Sequence, residues 1–252
     1  MKSFKMNLMQ IFFNPAFYLS VFLVVAAGFI AVNPYGPADV VQGVEMLFTL
    51  SLFKKMIAIF ASLAYVGSFC SDWNNQYIRA VIVRSGKEDY IFSKYSSCAL
   101  SCFVSSFLGL IIFCVLLAVK LPINTISEQN NFLLPYGSLI NTTPIVYLLV
   151  TITIFSLAIT FWGLTGLLLS AYIPNYFVAI SSPLVFSYIV EELTAKFPPA
   201  FNLYALTRSV QIIEGGMGIN LFYNVFIFAV LMVLVYLLFR NIVKRRIANE
   251  KV

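Results

Sequence analysis

The sequence predicts an all-α integral membrane protein with six transmembrane helices in one domain, residues 1–252. Of the 252 residues, 61% are hydrophobic and only 10% are charged, whereas about a quarter of the residues in a soluble domain are charged. The apolar residues form continuous runs close to the roughly 20 residues that a helix needs to cross a bilayer. Continuous runs favour helices over a transmembrane barrel, whose strands alternate apolar and polar residues.

Six apolar runs predict spans at residues 15–32, 52–71, 96–119, 145–169, 176–190 and 221–239. The first run ends at a cluster of helix breakers, residues 33–37, and is longer than the apolar region of the alternative, a cleaved signal peptide. Lys54 and Lys55 lie in the first turn of the second span, where their long stems allow the ammonium groups to reach the lipid headgroups. In the fourth span, Gly163, Gly166 and Ser170 predict a close helix contact.

The distribution of Lys and Arg predicts that both termini are cytoplasmic, because an excess of basic residues marks that side. The side of the termini carries eleven of them, namely Lys2, Lys5, Arg79, Arg84, Lys87, Lys94, Arg240, Lys244, Arg245, Arg246 and Lys251. The opposite side carries Lys54, Lys55, Lys120, Lys196 and Arg208. The net charge of +6 is not gathered into one solvated face, so we expect lipid rather than nucleic acid as the partner.

The sequence contains no recognisable catalytic or metal-binding motif, and we expect no enzymatic activity and no cofactor on this chain. Histidine is absent, and the four cysteines lack the paired spacing of a zinc site. Gly86-Lys87 continues into Glu88 instead of a phosphate-binding Ser or Thr. Glu191 and Glu192 are interpreted as solvated acids at the end of span five. Because the ionisable residues cluster near span ends, an ion-coupled transporter is disfavoured.

The loop between spans two and three, residues 69–94, is dense in charge, and its apolar stripe predicts a short helix at the membrane surface. The loop resembles that of the permease subunits of type-2 ATP-binding-cassette exporters. In that family an acidic residue after span two is followed by a coupling helix, a basic residue and a Lys that begins span three. The matching positions are Asp72, Ile78, Arg84, Tyr90 and Lys94.

The resemblance implies further elements and partners. Residues 1–13 are similar to the family's interfacial elbow helix, and residues 191–220 to its external re-entrant segment, with an ordinary external loop as the alternative. It implies a second permease chain, identical or related, and two separate ATPase subunits that bind ATP and Mg²⁺. The residues expected to couple the chain to the ATPase are Asp72, Trp73, Tyr77, Ile78, Arg79, Val81, Arg84 and Lys87. The alternative for this loop is a charged hairpin without a partner.

The small size and the lack of appended domains resemble permeases for lantibiotic or bacteriocin immunity and for antimicrobial peptide resistance, in a bacterial plasma membrane. The implied function is export of an amphipathic substrate, such as an antimicrobial peptide, lipid or drug, through a dimeric path. The alternative is an immunity or scaffold protein that binds a peptide or partner without ATP. Aromatic residues that could line the path, or simply anchor spans at the interface, are Phe17, Phe155, Phe161, Trp162, Tyr172, Phe177 and Tyr188.

Overall fold

The computed structural model describes residues 2–33, 36–125, 136–207 and 216–249. Within these ranges the chain forms α-helices and one short 3-10 turn at Pro199–Phe201. The helices are α1 (Lys2–Phe13), α2 (Pro15–Val32), α3 (Val40–Thr49), α4 (Ser51–Ser62), α5 (Ser68–Asn74), α6 (Tyr77–Ser85), α7 (Lys87–Ala118), α8 (Gly137–Thr142), α9 (Pro144–Tyr172), α10 (Tyr176–Thr194), α11 (Leu203–Thr207) and α12 (Met217–Asn249). Three predictions fall partly outside the described residues. The breaker cluster includes residues 34–35, the external segment includes residues 208–215, and the charge count includes Lys251.

Five of these helices, α2, α7, α9, α10 and α12, are long and apolar enough to cross a membrane. They correspond to the predicted spans one, three, four, five and six. The prediction of an all-helical chain compatible with a multi-pass membrane protein is therefore confirmed for the described residues.

The prediction of one continuous helix over residues 52–71 is wrong. The turn at residues 63–67 interrupts this range and separates α4 from α5. Just ahead of the predicted span, Leu50 adopts an extended backbone with ψ of 98°, which separates α3 from α4. At Gly67, in the turn after α4, an added Cβ would lie 2.7 Å from the Tyr176 ring. The apolar composition of this stretch is real, but average hydropathy does not reveal where a backbone leaves the helical conformation.

The segment formed by α3, α4 and α5 nevertheless runs along the whole length of α7, in the direction opposite to α7. Near its beginning the Val40 amide donates to the Pro122 carbonyl at 3.1 Å, just beyond the end of α7. Near its end the Tyr90 hydroxyl, in the first turn of α7, donates to the Asp72 carboxylate at 2.9 Å. Residues 40–74 thus connect the two ends of the bundle as three short helices.

The helix α9 occupies the centre of the bundle, where it packs against α4, α7, α10 and α12. Two of its glycines permit close approach of neighbouring helices. A Cβ added at Gly163 would lie 2.6 Å from the Cys102 sulfur, and a Cβ added at Gly166 would lie 2.7 Å from the Ala179 carbonyl oxygen. The expected close helix contact in span four is confirmed at these two positions.

Both terminal helices lie against the first turns of α7. In α1, Asn7 donates to the Ser93 hydroxyl at 2.7 Å, and near the end of α12, Arg240 bonds to Glu88 at 2.9 Å. We call this end of the molecule, formed by α1, α5, α6, the start of α7 and the end of α12, the basal end. The first and last helices therefore share one end of the bundle, and the membrane side that this end faces stays a prediction.

Candidate functional site

The predicted coupling helix corresponds to α6, which is set off from both neighbouring helices by unusual backbone conformations. Gln76, before its first residue, has a φ of 54°, and Gly86, after its last, has a φ of 83°. Positive φ values are costly for residues other than glycine, so the bend at Gln76 is held by the surrounding structure. The two bends place α6 as a separate short helix at the basal end, between the end of α5 and the start of α7.

One face of α6 is buried against the bundle and the other is exposed. Ile78 and Val81 are buried, whereas Tyr77, Arg79 and Arg84 are exposed. The exposed face thus carries two guanidinium groups and an aromatic ring, next to Val83, which is 85% exposed. Lys87, the last of the expected coupling residues, is the first residue of α7 and is exposed as well.

Asp72 belongs to a partly buried ion pair that joins α5 to α7. Its carboxylate lies 2.8 Å from the Lys94 ammonium and accepts a hydrogen bond from the Tyr90 hydroxyl at 2.9 Å. The Lys94 ammonium also lies 5.2 Å from the centre of the Tyr65 ring. The structure thus brings together three of the residues on which the family resemblance rests.

Trp73 connects α5 to the end of α12. The guanidinium of Arg246 lies 4.3 Å from the centre of the indole ring, and it also donates to the carbonyl oxygens of Ala171 at 2.7 Å and Tyr172 at 3.3 Å. Those carbonyls belong to the last turn of α9, where a cation is favoured by the helix dipole. Arg246 therefore binds three segments of the basal end to one another.

A second ion pair at the basal end is exposed. Glu88, in the first turn of α7 and ahead of its apolar part, bonds to both Arg240 and Lys244 of α12. Hydrogen bonds from these two residues lower the pKa of Glu88 to about 2. Because this contact lies at the surface, its contribution to stability is small.

A buried ion cluster lies in the interior of the bundle. The two carboxylate oxygens of Glu191 lie 2.9 Å from the Lys54 ammonium and 3.3 Å from the Lys55 ammonium, and no more than 6% of any of the three side chains is exposed. Lys54 also donates to the Thr207 hydroxyl at 3.2 Å. We call Lys54, Lys55 and Glu191 the central ion cluster.

The central ion cluster lies beside the middle of α9. The small cavity around it, about 10 Å³, is also lined by Phe155, Ala158 and Trp162. Ala158 is the middle residue of α9, about 21 Å from either end at 1.5 Å per residue. If α9 crosses a bilayer, the charges of the cluster lie at the depth of the hydrocarbon core.

Two expectations about these residues are wrong. Glu191 is a buried partner of two lysines rather than a solvated acid, although its neighbour Glu192 is exposed as expected. The two lysines do not reach outward to headgroups, because α3 continues the segment beyond them and their ammonium groups turn inward to Glu191.

The aromatic residues expected to line a substrate path lie in different parts of the structure. Phe155 and Trp162 line the cavity of the central ion cluster, and the ring of Tyr188 lies 3.2 Å from the Lys55 ammonium. The other four are elsewhere: Phe17 is buried in α2 and Phe161 is buried in α9, whereas Tyr172 and Phe177 are exposed. The structure thus groups three of the seven around the buried charges.

The central ion cluster was not predicted from the sequence, because Lys55 and Glu191 are 136 residues apart in the chain. The available signal was an adjacent pair of lysines inside an otherwise apolar run, which requires a buried partner whenever the chain continues beyond it. The four cysteines are buried and free. Among the described residues no group of three metal-ligating side chains occurs.

The chain matches no known family model, no curated protein and no solved structure. The type-2 exporter resemblance therefore rests on the residues of the 69–94 loop and on the elements around it.

Proposed function

We propose that the chain is the membrane-spanning permease subunit of an ATP-driven exporter, with α6 as the element that receives motion from an ATPase. The observation that carries this proposal is the geometry of α6, which is buried through Ile78 and Val81 and presents Tyr77, Arg79 and Arg84 outward. A short helix fixed to the bundle on one side and exposed on the other can bind a partner and transmit its displacement.

The contacts below α6 support transmission into the bundle. The pair of Asp72 and Lys94 joins the helix before α6 to the helix after it. The stacking of Arg246 on Trp73 joins the same region to α12. A displacement of α6 would therefore be passed to α7 and α12 through charge-assisted contacts rather than through a flexible loop.

In this proposal the chain spans the membrane six times, with residues 40–74 as a broken second passage and both termini in the cytoplasm of a bacterium. The helix α11 approaches the centre from the opposite end, since Thr207 contacts Lys54, which supports a re-entrant external segment. ATP and Mg²⁺ bind to two separate ATPase subunits. A second permease chain completes a path for an amphipathic substrate, such as an antimicrobial peptide, lipid or drug.

A second candidate is a non-transporting immunity or scaffold protein that binds a peptide without ATP. The observation that favours it is the small size of the cavity at the centre of the bundle, about 10 Å³. The described residues of one chain leave only this small space beside the middle of α9, so transport through this point needs either a second chain or a different conformation.

The test is purification of the tagged chain from its native membrane in mild detergent, followed by identification of co-purified subunits and measurement of ATP hydrolysis. We expect a nucleotide-binding subunit in equal amounts, and its loss when Arg79→Glu and Arg84→Glu reverse the charge of α6. The matched control is Arg245→Glu, an exposed Arg near the end of α12. Purification of the chain alone, without ATP hydrolysis, would contradict the exporter and favour the second candidate.

A further inference from the structure

A cavity of about 620 Å³ lies at the basal end, between the junction of α1 and α2 and the turn that separates α4 from α5. Its lining combines apolar side chains, such as Phe13 and Leu63, with polar ones that include Asn14, Asp72 and Lys94. A volume in this range is typical of sites for small molecules. A lining that is apolar on one part and charged on another suits an amphiphile rather than a purely apolar or purely polar ligand.

The position of α1 relates the cavity to the membrane surface. The side chain of Asn7 is buried and bonds to Ser93, while Met6, Met9 and Phe13 on the other face of α1 are exposed. A helix with a polar anchor inward and exposed apolar side chains is typical of the interfacial layer. The cavity beside its end therefore lies at the depth of lipid headgroups.

Among the described residues, the charged groups in the lining are one carboxylate and one ammonium. Asp72 and Lys94 are 2.8 Å apart, and 15% and 5% of their side chains are exposed. A ligand with one positive and one negative group can pair with both, whereas an anionic ligand would face the Asp72 carboxylate at short range.

Two further hydroxyl groups belong to the wall of the cavity. Tyr65 and Ser68 line it, and the Tyr65 hydroxyl interacts with the side chains of Ser68 and Ser97. These side chains make the wall next to the ion pair polar.

From these observations we infer that the cavity binds the headgroup of a zwitterionic phospholipid, with its ammonium toward Asp72 and its phosphate toward Lys94. The site would fix the junction of α1 and α2 to a lipid of defined charge, whether or not the chain works with an ATPase.

In the test, the protein is reconstituted into vesicles of equal parts phosphatidylethanolamine and phosphatidylglycerol and is then extracted in detergent. The amounts of the two lipids that remain bound to it are compared by mass spectrometry. We expect retained phosphatidylethanolamine in excess over phosphatidylglycerol. The double variant Asp72→Asn, Lys94→Met removes both charges together and leaves neither unpaired, and we expect it to weaken that retention roughly tenfold. The matched control is Glu88→Gln, Lys244→Met, which neutralises the exposed pair at the same end.

Equal retention of the two lipids by the unaltered chain would overturn the inference, as would a preference that persists in the Asp72 and Lys94 variant. A second measurement needs no variant: phosphatidylethanolamine with a photoactivatable headgroup should crosslink to residues 10–16 or 63–72. Crosslinks confined to other segments would overturn the inference even if the variant did not fold. Since neither measurement involves ATP hydrolysis, failure here leaves the exporter proposal untouched.

Discussion

Replacing Glu191 by Gln should destabilise the protein strongly, although the change is nearly isosteric. The Glu191 carboxylate is the shared partner of two ammonium groups, and no more than 6% of any of the three side chains is exposed. Removing one member of a buried ion pair costs about 3–5 kcal/mol, and here the loss of the carboxylate leaves two buried ammonium groups close together. Lys54 keeps its bond to Thr207, which places the expected loss near the lower limit, at about 3 kcal/mol.

The chain offers a matched control at the next position. Glu192 is exposed, and Glu192→Gln should change the free energy of unfolding by less than about 0.5 kcal/mol. Lys55→Met is a second comparison, since it removes one ammonium and leaves the 2.9 Å pair of Lys54 and Glu191 in place. A long apolar side chain can occupy the same space, so we expect a loss below about 1.5 kcal/mol.

The assay is thermal unfolding in detergent, monitored by far-UV circular dichroism at the same heating rate for all variants. A loss of about 3 kcal/mol corresponds to a decrease in Tm of about 6–12 °C for a chain of this size. If Glu191→Gln unfolded at the same temperature as Glu192→Gln, the Glu191 carboxylate would not be a buried partner of the lysines, and the argument from the cluster would be refuted.

Two further changes test the packing at other sites by the same assay. Gly109→Ala should lower stability by about 1–3 kcal/mol through overpacking, since its Cβ would lie 2.6 Å from a methyl carbon of Val24. The control is Gly218→Ala, whose Cβ meets no atom within 4 Å, and which should be neutral or stabilising. Equal Tm values for the two variants would contradict the close contact between α7 and α2. Arg246→Lys should lower stability by about 1–2 kcal/mol, because an ammonium cannot both stack on the indole and bond to the end of α9 as a planar guanidinium does. Arg245→Lys, at an exposed position, is the control and should leave the Tm unchanged.

The long helices could be predicted from the sequence because each depends on a local property, the length of an apolar run. The predicted boundaries 15–32 coincide with α2. The predicted start of the fifth span at Tyr176 coincides with the start of α10. The structure extends α7 and α12 well beyond the apolar runs, because Lys87 and the basic residues after Phe239 continue the same helices into the basal end.

The break in the second span could not be predicted in this way. Residues 63–67 are as apolar as their neighbours, and at Gly67 the backbone lies against the Tyr176 ring of α10. In the same predicted span, Lys54 and Lys55 pair with Glu191 of α10. A pairing between residues this far apart in the chain leaves no periodic signal in either segment.

Burying the three charges of the central ion cluster costs desolvation free energy, and a gain in stability alone does not explain why charged residues lie there. Apolar residues of similar volume at buried ion pairs are often neutral or stabilising, and the space beside α9 is already lined by Phe155 and Trp162. The charges add a specific contact, because the two carboxylate oxygens of Glu191 in α10 each pair with a different lysine of α4. Contacts of Thr207 and Tyr204 with Lys54 join α11 to the same cluster. Loss of the Glu191 contact would release α4 from α10 at this point, while α4 would stay joined to α11 through Lys54 and Thr207.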